Sequence, residues 1–125
     1  MVTSGRAVSD YADPHDWLEM TKKTGMALGL DNTFQLLKLL DLELSYTTVI
    51  HVAGSNGKGT LCALLATNFT LSGKSNVLFS SPHLCRVEER VRLNGIPVRS
   101  AIFYEAVKRI QLISLTSNIV PTFFE

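Results

Sequence analysis

The residues best suited to chemistry gather in one stretch, His51-Val52-Ala53-Gly54-Ser55-Asn56-Gly57-Lys58-Gly59-Thr60. Its glycines can turn backbone N–H groups into one concavity, and a lysine and a threonine hydroxyl lie among them. The run before it, Thr47-Thr48-Val49-Ile50-His51-Val52, is β-prone. The run after it, Leu61-Cys62-Ala63-Leu64-Leu65, is apolar with helical period. Strand, glycine loop with lysine, then helix is an order that holds polyphosphate. The helix start offers about half a positive charge and Lys58 a full one. The stretch is not a standard Walker loop, because Gly59 separates Lys58 from Thr60 and Gly54 stands only three residues before Gly57. The alternative is an ordinary glycine-rich turn between strand and helix. Against it, a lysine just before a helix N-terminus is electrostatically unfavourable without an anion.

A second candidate follows the β-prone run Asn76-Val77-Leu78-Phe79-Ser80, in Ser80-Ser81-Pro82-His83-Leu84. If the two runs are neighbouring parallel strands, Ser81 emerges beside the glycine loop. A hydroxyl there can reach a Mg²⁺ that bridges phosphates, since hard cations take oxygen ligands. An ordinary Ser-Pro turn with a surface histidine explains the same residues. Arg86, Glu88, Glu89, Arg90 and Arg92 read as a solvated hairpin face, and Asp31 as a helix cap rather than an acid catalyst. No Ser/His/Asp triad or metal-ligand cluster can be assembled. Cys62 and Cys85 lack metal or redox spacing, and Cys62 reads as a small buried hydrophobe.

The elements that must position these residues follow from local signals. Residues 1–12 read as a loose lead-in and 13–125 as one partial domain built around the polyphosphate loop. Asp13-Pro14 predicts a helix start, with an apolar face at Trp17, Leu18 and Met20 ending near Gly25. Asp31 or Asn32 is expected to cap a helix with a stripe at Phe34, Leu36, Leu37, Leu39 and Leu40, stopping near Leu44-Ser45. Residues 47–53, apolar on both faces, predict a buried parallel strand. A helix over 60–72 follows, with Gly73 as its stop. The next strand, at 76–80, would complete a right-handed βαβ unit with phosphate at the carboxyl end of the first strand. Asn94-Gly95 predicts a hairpin. Ser100 is expected to cap a helix to about Leu115 that buries Ile102, Phe103, Ala106, Val107 and Ile110. The fold class is α/β: the N-terminal part of a P-loop-type parallel-sheet domain with flanking helices, cut short as another element begins.

Composition narrows the function classes. A chain of 125 residues suffices for one core rather than two, and 46% hydrophobic with 18% charged residues describes a globular domain. A formal net charge of +1 and the lack of a basic, aromatic-interleaved patch point away from nucleic acid. No apolar run approaches the ~20 residues of a membrane span. The N-terminus lacks a signal-peptide core, and a reducing, cytoplasmic setting is expected.

Five segments together resemble the folylpolyglutamate synthase/dihydrofolate synthase family of Mur-ligase-like amide-forming enzymes. They are Ala27-Leu28-Gly29-Leu30, HVAGSNGKGT at 51–60, SSPHL at 80–84, ERVRLNGIPV at 89–98 and PTFFE at 121–125. The order and spacing are similar to the N-terminal third of that family, over residues 15–125. The inserted Gly59 is what the family has; Ser55 stands where it usually has threonine. The resemblance makes residues 13–125 a partial Mur-ligase-like ATP-binding domain. It implies an ATP phosphate loop of Gly57, Lys58, Gly59 and Thr60, with Asn56 shaping the turn and Lys58 neutralising charge. It implies Ser81 as a Mg²⁺ ligand. It implies substrate contacts from Ala27, Leu28, Gly29 and Leu30, and from Thr122, Phe123, Phe124 and Glu125. The aromatic pair suits a flat heterocycle. The implied reaction joins L-glutamate to dihydropteroate or a folate. A substrate carboxylate takes the γ-phosphoryl of ATP to give an acyl phosphate, and the glutamate amine displaces phosphate to form an amide. Further metal ligands and a C-terminal domain of the family lie beyond residue 125, so the 125 residues alone are not expected to ligate. A non-catalytic ATP- or pterin-binding module, and a different P-loop nucleotide-binding protein, are the alternatives. The latter expects Ser or Thr directly after the lysine, where Gly59 stands.

Overall fold

The structure, a computed structural model, describes residues 13–25 and 29–125. The expected lead-in at 1–12, and Ala27 and Leu28 of the expected substrate segment, lie outside the described residues. The chain divides into two units, residues 1–46 with 104–125, and residues 47–103.

In the first unit, helix α1 spans Pro14–Thr21. It starts where the sequence predicts. The Asp13 carboxylate accepts the His15 backbone N–H at 2.8 Å, and Pro14 takes the first helical position, where no N–H is needed. Helix α2 spans Asp31–Leu39, and its entry differs from expectation. Leu30 occupies the cap position without a side-chain cap. Asp31 instead lies in the first turn, where its charge complements the helix dipole. Asn32 donates its side-chain amide to the Val120 carbonyl at 3.2 Å. The helix ends at Leu39, sooner than predicted, and Asp41 turns into the left-handed region (φ 52). Trp17, Leu36, Leu40, Val107 and Ile119 form the buried apolar set of this unit.

Helix α4, Ser100–Ser117, starts in the second unit and crosses the division between Phe103 and Tyr104. Its buried residues are Val107, Gln111 and Ser114, spaced four and three apart on one face. Of the five side chains expected inside, only Val107 is buried; Phe103 and Ile110 are half-buried, Ile102 and Ala106 exposed. Apolar residues surround this helix, so period alone could not choose its inner face. Ser114 satisfies its buried hydroxyl on the Ile110 carbonyl, 2.8 Å away, and so tolerates burial.

In the second unit, helix α3 spans Lys58–Leu71 and strand β1 spans Val77–Phe79, and the two pack together. Gly73, at φ 71, ends α3 as predicted. β1 pairs antiparallel with β2, Val91–Leu93, and β2 pairs antiparallel with β3, Ile96–Pro97. Asn94 and Gly95, both at positive φ (50 and 83), make the tight turn that the sequence predicts. The expected parallel pair is not formed. Residues 47–53 carry no strand, and the described sheet is antiparallel throughout. Doubly apolar patterning predicts a buried strand but not its partner. Antiparallel pairing of β1 and β2 needs only the short connection at 80–90, whereas a parallel pair must close across all of α3. Val49 and Ile50 are consequently exposed. What the structure establishes is a mixture of helices with a small antiparallel sheet.

Candidate functional site

The glycine loop enters α3 through a left-handed turn. Gly57 precedes the first helical residue with φ 75 and ψ −1, a left-handed conformation that a residue with a Cβ adopts only at a cost. Gly54 sits at φ 147. A Cβ at Gly57 or Gly59 would meet no neighbouring described atom within 4 Å, so neither position is crowded. Leu61 N–H closes the first turn onto the Gly57 carbonyl at 2.9 Å. No side chain caps α3, and its first turn holds no acidic residue. Its leading N–H groups therefore face solvent with the positive end of the helix dipole behind them.

Lys58 bends back over this loop. Its ammonium donates to the Gly54 carbonyl and, at 3.3 Å, to the Ser55 carbonyl. The lysine is thus held at the mouth of the loop by carbonyl oxygens instead of an acidic side chain. Asn56, Gly59 and Thr60 are exposed, and the Thr60 hydroxyl makes no hydrogen bond to another described residue. All of this is compatible with an anion in front of the loop: an uncrowded turn, unclaimed amides, a tethered cation and a hydroxyl bonded to no described residue.

Ser81 lies just past β1, exposed, joined to Pro82 by a cis peptide bond. Its hydroxyl also makes no hydrogen bond to another described residue. The connection around it is tightly tied. Ser80 N–H donates to the Arg90 carbonyl at 2.9 Å, and Arg90 Nε donates to His83 Nδ1 at 2.8 Å. The Glu89 carboxylate accepts the backbone N–H groups of Leu84, Cys85 and Arg86 at 3.0, 3.2 and 2.9 Å. Those backbone donors, Leu84 foremost, hold the Glu89 carboxyl below its ordinary pKa.

Glu88 and Arg90 are buried, at 6% and 9% exposure, which corrects the expectation of a solvated charged face. Arg86 donates to Glu88 at 3.1 Å and also to the Ser100 hydroxyl. The Arg86 hydrogen bond is the main reason the Glu88 carboxyl is lowered to about 2. A charge run alternating in sign looks like surface; here it folds into its own network. One signal was present in the sequence: Glu89 stands three residues after Arg86, the spacing at which a carboxylate reaches back to cap a turn.

The expected substrate residues fall in the first unit. Gly29 and Leu30 are exposed, ahead of α2. Thr122 is buried and Phe124 exposed, and the two rings of Phe123 and Phe124 meet edge to face with centroids 5.4 Å apart. Glu125 folds back to accept the Thr122 N–H at 2.9 Å, and Lys22 lies 5.1 Å from the Phe123 ring centroid. The Asn32–Val120 hydrogen bond brings the two segments together, one end two residues past Leu30 and the other two before Thr122. A cavity of about 180 Å³ opens alongside, walled by Trp17, Met20, Ser114, Ile119 and Pro121 among others, though none of the four expected residues at 122–125 lines it.

Among the described residues no group of three His, Cys, Asp or Glu could hold a metal, so Ser81 has no protein co-ligand of those types clustered with it. A metal at Ser81 would take its remaining oxygens from phosphate and water, a donor set suited to Mg²⁺. No helix among the described residues is long and apolar enough to cross a membrane.

No family model matches the chain. Curated relatives and solved structures do. The dihydrofolate synthase/folylpolyglutamate synthase of Haemophilus influenzae is 41% identical over 90 residues, 72% of this chain and 21% of that protein. E. coli FolC, solved in complex with DHPP and ADP, superposes with a TM-score of 0.75 at 28% identity, over 90% of this chain and 28% of that one. A bifunctional folylpolyglutamate synthase/dihydrofolate synthase solved with Mn, AMPPNP and L-glutamate gives 0.77 at 32% identity, over 90% of this chain and 27% of that one. The chain spans about a quarter of the length of the relatives it matches. Sequence and fold agree, and over that quarter the chain belongs to the folylpolyglutamate synthase/dihydrofolate synthase family.

Proposed function

We propose that this chain supplies the nucleotide phosphate site and part of the acceptor site of an ATP-dependent ligase that adds L-glutamate to dihydropteroate or a folate. The observation that carries this is the entry to α3, where left-handed Gly57 leaves an open row of amides beside a tethered Lys58. Related proteins solved with ADP, AMPPNP, DHPP and L-glutamate support it.

In this reading the terminal phosphates of ATP lie against the amides of Gly57, Lys58, Gly59 and Thr60, with Asn56 shaping the turn. Lys58 exchanges the Gly54 and Ser55 carbonyls for phosphate oxygens. Ser81 offers one oxygen to a Mg²⁺. When bound, that ion polarises the phosphoryl group and neutralises its charge. The acceptor carboxylate oxygen forms a bond to the γ-phosphorus as the bond to ADP breaks. The glutamate amine then bonds to the acyl carbon and inorganic phosphate leaves, the amine proton passing to solvent. The loop donates no nucleophile; it fixes position and offsets charge as the phosphoryl moves. Gly29 and Leu30, with Ala27 and Leu28, and Thr122 through Glu125 hold the pterin-bearing end, Phe124 stacking on the ring. In the longer domain of which this chain would be part, residues 47–53, which carry no strand here, join β1 as a parallel neighbour and give a P-loop-type sheet. The partners are small molecules and the setting cytoplasmic. By itself the chain binds and does not ligate.

The test is AMPPNP binding by calorimetry with Mg²⁺ present. Parent chain should bind, and Lys58→Ala should lose about tenfold or more in affinity, the value of a charge-assisted phosphate contact. Equal affinity in the two would remove the phosphate-loop assignment.

A further inference from the structure

Ser81 is exposed and its hydroxyl bonds to no described residue, yet the chain on both sides of it is held by a single residue, Arg90. We propose that Arg90 is a positioning residue for Ser81, setting the serine hydroxyl where a phosphate-bound divalent cation can take it. The proposal rests on the reading of Ser81 as a metal ligand.

Arg90 acts through two different atoms. Its carbonyl accepts the Ser80 N–H at 2.9 Å, one residue before Ser81. Its Nε donates to His83 Nδ1 at 2.8 Å, two residues after. The first bond extends the β1–β2 ladder past Phe79, so the start of the turn is registered to the sheet. The second ties the far side to a guanidinium that is itself buried at 9% exposure. Because Nδ1 accepts, the His83 proton sits on Nε2, and the ring orientation is fixed. Glu89, next in the chain, gathers the N–H groups of Leu84, Cys85 and Arg86, so the rest of the connection cannot unwind. A turn serving only to reverse the chain needs no buried arginine at its centre. A turn that presents one weak neutral oxygen to a cation does, because a lone hydroxyl binds well only if its place is set beforehand.

The test uses the 125-residue chain with Mn²⁺ and AMPPNP as probes. Mn²⁺ affinity in the presence of AMPPNP is read by electron paramagnetic resonance, and metal-free AMPPNP affinity by NMR titration. Arg90→Lys, which keeps the charge but loses the planar Nε donor, and His83→Ala should each weaken Mn²⁺ by about tenfold. The double variant should lose no more than either alone, since both remove one bond. Metal-free AMPPNP affinity should stay within about twofold, as a role confined to metal positioning requires. Unchanged Mn²⁺ affinity, additive losses, or an equal loss of metal-free nucleotide binding would overturn the proposal. Ser81→Ala separates the two levels. If it does not weaken Mn²⁺, the metal reading of Ser81 fails and the proposal with it. If it does and His83→Ala does not, only the positioning role fails. Should Arg90→Lys not fold, His83→Ala decides alone.

Discussion

At the scale of single residues, charge and backbone conformation decide most. The left-handed turn at Gly57 could be read from sequence because glycine is the usual residue at positive φ, and Lys58 stands out because it places a cation at a positive helix end. Glu88 and Arg90 could not. Arg86, which donates to Glu88, also reaches Ser100, fourteen positions along the chain, and no local pattern announces that contact. Glu88 also yields a pH prediction. Its folded-state pKa of about 2 lies below the ordinary 4.5, so the stability it contributes is present above the higher value. It is lost as pH falls through the window between them. Denaturant titrations should show stability declining from about pH 4.5 toward about pH 2, and Glu88→Gln should flatten part of that decline. A variant with the parent's full slope would mean that the Arg86–Glu88 contact does not form in solution. Lys58→Ala should leave stability within about 0.5 kcal/mol of the parent, since Lys58 is exposed and its partners can turn to water.

At the scale of elements, three local signals held, while the expected cap of α2 and the non-local expectations did not. The Asp13-Pro14 start of α1, the Gly73 stop of α3 and the Asn94-Gly95 turn each depend on a few adjacent residues, and each stands where the sequence predicts. Strand partners and inner helix faces depend on what lies across the core. Residues 47–53, expected as a buried strand, carry none, and α4 buries Gln111 and Ser114 in place of the expected Ile102 and Ala106. Two substitutions test the elements. Asp13→Ala removes the cap bond to His15 and should cost about 1 kcal/mol by chemical denaturation. Gly57→Ala places a Cβ at φ 75 and should cost about 1–2 kcal/mol while also weakening AMPPNP, because the amides behind it lose their common direction. Destabilisation without loss of nucleotide would separate the turn's shape from binding.

At the scale of the whole molecule, the two units divide the expected work. The phosphate residues and Ser81 belong to residues 47–103; the acceptor-contacting residues belong to the other unit. Among the described residues no group of three His, Cys, Asp or Glu could hold a metal, and the function proposed for the chain is positioning and charge compensation. Spanning about a quarter of its relatives, the chain is expected to bind ATP and to form no amide product with dihydropteroate or tetrahydrofolate and L-glutamate. Mass analysis of the mixture checks this. The most direct test of the phosphate site is an NMR titration of labelled chain with AMPPNP and Mg²⁺. The largest amide shifts should fall on residues 55–60, with a smaller response at Ser81, and Lys58→Ala should suppress both. Shifts centred elsewhere, or the same response in Lys58→Ala, would contradict nucleotide binding at the start of α3.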